Sequence, residues 1–210
     1  MSLPPRIIDK NGIKSFGGSQ MWLPDRMFLN SGCGIIAGLD AVMRLKGEES
    51  LPRQDYIDRF FVAKDYIRPI TIGKNRQSRK LFGQEFLGSF GVSASRFKKG
   101  IKKLAAKEGI SVKVKPFSFR WEEKIAGYLE TGDPLVMLFT APIKKVAVIT
   151  PDGHRNMCNY HWVTVTGIDG DTLTVSSWGY ECKMSLKELR RFNVILHFYS
   201  VSLEKTGNIV

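Results

Sequence analysis

The sequence predicts an α+β fold, with helices in its first half and an antiparallel sheet in its second, and three observations carry that expectation. Apolar residues recur at helical spacing through Ile35, Ile36, Leu39, Val42 and Met43, again through Tyr56, Ile57, Phe60 and Phe61, and again through Phe97, Ile101, Leu104 and Ala105. From Leu135 onward the period changes to two, in short runs broken by turn residues. No repeat, low-complexity tract or linker interrupts the 210 residues, and 43% hydrophobic content is enough for one substantial core. The expectation is a single domain over 1–210, with an N-terminal arm (1–29), a mainly helical half (30–132) and a mainly β half (133–210).

Residues 1–29 are rich in Pro and Gly, and Phe16, Met21, Trp22, Leu23, Met27 and Phe28 are scattered without a period, which predicts an extended, packed arm. Asn30-Ser31-Gly32-Cys33-Gly34 then predicts a tight turn that delivers Cys33 into the first turn of an amphipathic helix. Gly47 and Pro52 precede a second helix around Tyr56 to Ala63. Residues 68–92 are loop-rich, with a short helix expected around 84–90. Ser93 or Ser95 caps a basic helix that Gly109 stops, and 111–117 alternates as a half-buried strand. Trp121, Ile125, Tyr128 and Leu129 mark another helix, ended by Thr131-Gly132-Asp133-Pro134. Strands follow at 135–139, 144–150 and 160–168. Asp169-Gly170 is a two-residue hairpin turn, from which 171–176 returns antiparallel. A helical turn at 185–190 and a strand at 194–203 close the pattern.

The net charge of +12 raises nucleic acid, anionic surfaces and acidic ligands as partners. Its placement favours solvation. Arg96, Lys98, Lys99, Lys102, Lys103 and Lys107 share the polar side of one helix, while Lys74, Arg76, Arg79 and Lys80 fall in a loop with no aromatic ladder or nucleic-acid motif. Specific nucleic-acid recognition is not expected. The longest apolar run is far short of a membrane span, so membrane insertion is not expected either. The start lacks a signal-peptide pattern, which makes a cytoplasmic home the expectation, with export by another route left open. Cys33, Cys158 and Cys182 are too few for a disulfide framework and lack zinc-site spacing, and nothing implies a cofactor or metal.

Chemistry points to Cys33. A cysteine at a helix start meets unpaired backbone N–H groups and the positive end of the helix dipole, which favour the thiolate that attacks carbonyls. A backbone N–H there can also stabilise an oxyanion. Three histidines are available as a base: His154 in a polar loop, His197 amid a strand, and His161, which opens Tyr160-His161-Trp162-Val163-Thr164-Val165-Thr166-Gly167 at the lip of the sheet. A lone strand histidine is more often structural, so the partner at Cys33 is what gives His161 its interest.

Taken together, Cys33 heading a helix, the helix–Gly-x-Pro–apolar strand of 129–139, His161-x-Val-x-Val-x-Gly and Ser176-Ser177-Trp178-Gly179 resemble the papain-like cysteine peptidases. The compact bacterial branch with bacteriocin-processing domains is nearest in flavour, and the Cys-to-His interval suits papain relatives. The resemblance implies a nucleophile helix packed against a C-terminal antiparallel sheet, with Cys33 facing His161 across a cleft, a peptide or protein substrate, and a thioester intermediate. It maps the residue that orients the imidazole onto Ser176, where the family has Asn or Asp. With Asp169-Gly170 as the turn, strand parity puts His161, Val163, Ser176 and Trp178 on one sheet face and Ser177 on the other. The family's oxyanion glutamine falls at Met27, which cannot donate. Asn30 is the nearest amide, and Gln20 is a second if the arm folds back beside the helix. These departures keep two alternatives open: a catalytically impaired papain-fold peptide-binding protein, and a Cys-His acyltransferase or deamidase.

Overall fold

The computed structural model describes residues 3–71, 79–81, 84–86, 89–118 and 120–204. It has an α+β architecture. β1 (Arg6–Ile8) pairs in parallel with β2 (Ser50–Pro52), tying the N-terminal arm to the helical half. The arm is less extended than its composition suggests: a 3-10 turn at Gln20–Trp22 is capped by Ser19, and α1 (Arg26–Ser31) is capped by Asp25, whose carboxylate accepts the Met27 N–H at 2.8 Å. Local capping of this kind needs only one oxygen at the right offset and leaves no apolar period to read.

α2 (Cys33–Leu45) is the central element, with every residue from Cys33 to Met43 buried. α3 (Arg53–Ala63) and α4 (Ala94–Lys107) pack around it, the latter capped by Ser93 and carrying its lysines outward as expected. Two glycines let α2 approach its neighbours closely. A Cβ on Gly34 would stand 2.8 Å from Val92 Cβ and 3.0 Å from the Trp162 ring, and one on Gly38 would stand 2.3 Å from Ile67 Cδ1. Between α3 and α4, β3 (Arg79–Leu81) pairs antiparallel with β4 (Gln84–Phe86), so the segment expected as a short helix from 84 begins as a strand. Gly83 and Gly88 flank the run, and glycine is among the poorest helix formers. Lys74 and Arg76, and positions 87 and 88, lie outside the described residues.

The second half supplies an eight-stranded antiparallel sheet: β5 (Val112–Phe117), β6 (Leu135–Thr140), β7 (Val146–Ile149), β8 (Arg155–Cys158), β9 (Tyr160–Asp169), β10 (Thr172–Ser177), β11 (Tyr180–Ser185) and β12 (Ile195–Leu203). Its order is β5-β12-β6-β9-β10-β11-β7-β8. β8 and β11 escape the sequence pattern because β8 alternates only between half-buried and exposed and β11 buries only Cys182 and Met184. α5 (Trp121–Glu130) and α6 (Leu186–Arg191, capped by Ser185) cover one face. α2, α3 and α4 cover the other, where Val136, Leu138, Trp162 and Tyr199 meet them. Phe97 of α4 stacks on Trp162 at 4.2 Å, and the Trp162 indole N–H donates to the Val92 carbonyl at 2.7 Å. These contacts fix the start of α2 against the start of β9.

Among the described residues, no helix is long and apolar enough to cross a membrane.

Candidate active site

Cys33 is the first residue of α2, and α1 runs into it through Gly32 alone. His161 is the second residue of β9. The two line one cavity of roughly 10 Å³, together with Gln20, Asp40, Ser177 and Trp178. Trp162, the next residue on β9, faces α2, whereas His161 takes the opposite face with Phe139 and Val163.

The imidazole is held from two directions. His161 Nε2 lies 2.7 Å from Ser177 Oγ, with donor and acceptor set by the tautomer, and the Trp178 ring stacks on it with centroids 4.7 Å apart and planes 17° off parallel. Trp178 and Gly179 are the two central residues of the β10–β11 hairpin and both have positive φ, 52° and 83°. Such a turn fits the twist of the strands, but the left-handed region is costly for a bulky residue. Trp178 therefore carries strain at the place where its ring covers His161, and the stack helps to offset it.

The hydroxyl on the imidazole belongs to Ser177, whereas strand parity assigned that place to Ser176. The hairpin departs from expectation twice, and the second departure accounts for this. The turn is Gly170-Asp171, with Asp169 opposite Thr172, which keeps the parity. A bulge at Thr166 then shifts the register by one, so that Val175 faces Val165 and Ser176 faces Thr164. A one-residue slip exchanges the faces of every later side chain. Ser176 instead donates to the Phe16 carbonyl at 2.8 Å and helps to hold the arm.

The amides also sort themselves. Asn30 is exposed on α1, outside the cavity, and Met27 is buried in the core beneath α2. Gln20 is brought back beside the helix start, where a Cβ on Gly32 would lie 3.4 Å from its own Cβ. One of its amide hydrogens is donated to the Leu29 carbonyl at 2.5 Å. An amide nitrogen carries a second donor, and the Gln20 residue lines the cavity.

Burial dominates the electrostatics. It pushes the Cys33 thiol up to about 11 against the pull of the backbone N–H groups of Trp162, Gly34 and Cys33 itself, and it pushes His161 down to about 4. In this closed arrangement both groups rest uncharged, contrary to the thiolate that the helix start favours. Those same N–H groups favour the thiolate once the proton leaves, so they oppose the effect of burial.

His154 and His197 stay apart from Cys33. His154 is exposed beside an open groove of about 400 Å³ with Met21, Pro151, Trp178 and Tyr180, and His197 pairs with Leu138 inside the sheet. Sequence reasoning missed Asp40, a buried carboxylate two turns along α2 from Cys33. A charged residue on an otherwise apolar helix face was its signal. Among the described residues, no three His, Cys, Asp or Glu side chains are grouped to hold a metal ion.

No protein-family model matches the chain, and no curated protein sequence matches it. Among solved structures, it is similar to a Bacillus anthracis protein described as a C39-like peptidase, with a TM-score of 0.43 and 14% identity over 81% of this chain and 88% of that one. A likeness this loose carries no argument about fold or activity, which rest on the residues themselves.

Proposed function

We propose that this chain is a papain-like cysteine peptidase, or a closely related amide hydrolase, acting through Cys33 and His161. The observation that carries the reading is the shared cavity: a cysteine at a helix N-terminus, a histidine bridged to Ser177 and stacked on Trp178, and a glutamine amide with a second N–H. In the reaction, His161 takes the thiol proton as Cys33 Sγ attacks the substrate carbonyl. Backbone N–H groups at the start of α2 and the Gln20 amide stabilise the oxyanion. His161 then gives the proton to the departing amine, the carbonyl–nitrogen bond breaks, and a thioester forms. Water activated by His161 hydrolyses it and restores the thiol. Ser177 orients the imidazole, a weaker version of the role that Asn or Asp fills.

One observation favours a second reading, a peptide-binding protein with impaired turnover. The cavity has room for about one water, and burial moves both Cys33 and His161 towards their uncharged forms. Incubation with a mixed peptide library, followed by mass spectrometry of the products, separates the two. Cleavage that vanishes in both Cys33→Ala and His161→Ala supports hydrolysis. Peptide retention without cleavage by the parent supports the binding reading, and cleavage that persists in Cys33→Ala contradicts the assignment of the nucleophile.

A further inference from the structure

The arm that carries Gln20 is fastened by a group that the proposed chemistry leaves unused. Asp40 is 2% exposed, and its carboxylate accepts the Tyr56 hydroxyl at 2.6 Å and the Gly18 N–H at 3.1 Å. Beside it, Ser176 holds the Phe16 carbonyl. The arm fits this contact only without side chains. A Cβ on Gly17, whose φ is +77°, would stand 2.5 Å from Ser176 Oγ and 2.6 Å from Asp40 Oδ2, and one on Gly18 would stand 2.0 Å from Tyr56 Oη. Two residues further on, Gln20 enters the cavity that Asp40 itself lines.

A carboxylate buried in an apolar helix face is costly, and the donors that meet it come from α3 and from the arm. An apolar residue would serve the packing of α2 and α3 equally well, but it could not accept the Gly18 N–H. We infer that Asp40 is a positioning residue that latches 16–18 to α2 and thereby sets the Gln20 amide against Cys33. The inference rests on the reaction proposed above, in which Gln20 supplies an oxyanion donor. The groups facing Asp40 are Tyr56 from α3, Gly18 from the arm and Ser176 from β10, with Cys33 and His161 around the same cavity. Burial moves its carboxyl up to about 7, so the better acceptor, the ionised form, gains ground as pH rises through neutrality.

The test is a double-mutant cycle of Asp40→Asn with Gln20→Ala, reading kcat and KM on a cleaved peptide, with amide hydrogen exchange over 16–20 and iodoacetamide labelling of Cys33 alongside. Asp40→Asn is expected to lower kcat about tenfold or more, short of the roughly 10²–10³-fold loss for removing an oxyanion donor, with KM and Cys33 labelling near the parent's. It should add less than about threefold once Gln20 is alanine. It should also abolish an activity limb near pH 7 and raise exchange over 16–20. Equal losses in both Gln20 backgrounds, or unchanged exchange, overturn the inference. Asp40→Ala, which removes the acceptor of the Gly18 N–H, replaces Asp40→Asn if that variant fails to fold, and the same outcomes apply. A parent that cleaves nothing counts against the proposed hydrolase; hydrogen exchange then decides the latch by itself, and unchanged protection in the variant overturns it.

Discussion

Ser176 and Ser177 are adjacent, chemically identical and assigned to different tasks by one bulge. Ser177 Oγ is on the imidazole at 2.7 Å, while Ser176 Oγ is on the Phe16 carbonyl. In an assay of hydrolysis, Ser177→Ala should lower kcat about tenfold through loss of imidazole orientation, and Ser177→Asn should recover part of it. Ser176→Ala should leave the bond to His161 intact and act through the arm, so its effect should shrink when Gln20 is alanine. Equal and additive losses from both serines would contradict the division. At this scale the sequence makes Cys33 and His161 legible, since each sits in a local motif whose order and spacing can be read. Ser177 is not legible, because the extra residue at Thr166 leaves no mark in a run of alternating apolar and hydroxyl side chains. Gln20 is half legible: its identity as an amide is plain, but its arrival depends on contacts with Asp40 and Tyr56 that are distant in sequence.

α2 shows how an element is fitted to its neighbours. Its apolar period predicts a core helix, and the chain forms one over Cys33–Leu45. What the period does not convey is that the helix is buried on all sides, because closeness to Val92, Trp162 and Ile67 is encoded in the missing side chains of Gly34 and Gly38. Gly34→Ala should therefore cost about 1–3 kcal/mol in urea unfolding, despite alanine's better helix propensity. Gly127 in α5 is the control: a Cβ there meets nothing within 4 Å, so Gly127→Ala should stabilise by roughly 0.5–1 kcal/mol. Opposite signs from one substitution in two helices separate packing from propensity, and a stabilising Gly34→Ala would show that the α2–β9 contact is looser than described. The hairpins illustrate the reverse limit. β10–β11 turns on Trp178-Gly179, a pair that turn chemistry does not single out, so β11 stays hidden among polar residues.

For the whole molecule, two buried groups at one cavity set opposing pH dependences. His161 is held near 4, below its ordinary 6.5, so the unfolded chain takes the proton first, and stability is lost as pH falls from about 6.5 towards 4. Asp40 is held near 7, above its ordinary 3.8, so the folded chain keeps the proton longer, and stability is lost as pH rises through that window. Each effect amounts to a few kcal/mol, and over pH 4–6.5 they offset. Asp9, Glu48, Glu122 and Asp152 are held below their ordinary values and act mainly at lower pH. Urea unfolding should thus give Asp40→Asn a stability that climbs between pH 4.5 and 6.5, and His161→Gln one that declines, with the parent flatter than either. Parallel slopes in all three would mean that these groups are not buried as described. The central claim is that Cys33 becomes acylated with the help of His161, and rapid acid quenching with an activated peptide ester, followed by intact-mass and peptide mapping, tests it directly. The account predicts one acyl group on Cys33 in the parent, slower acylation in His161→Ala and none in Cys33→Ala; hydrolysis of the ester with the acyl group on another residue, or undiminished without Cys33, would contradict it.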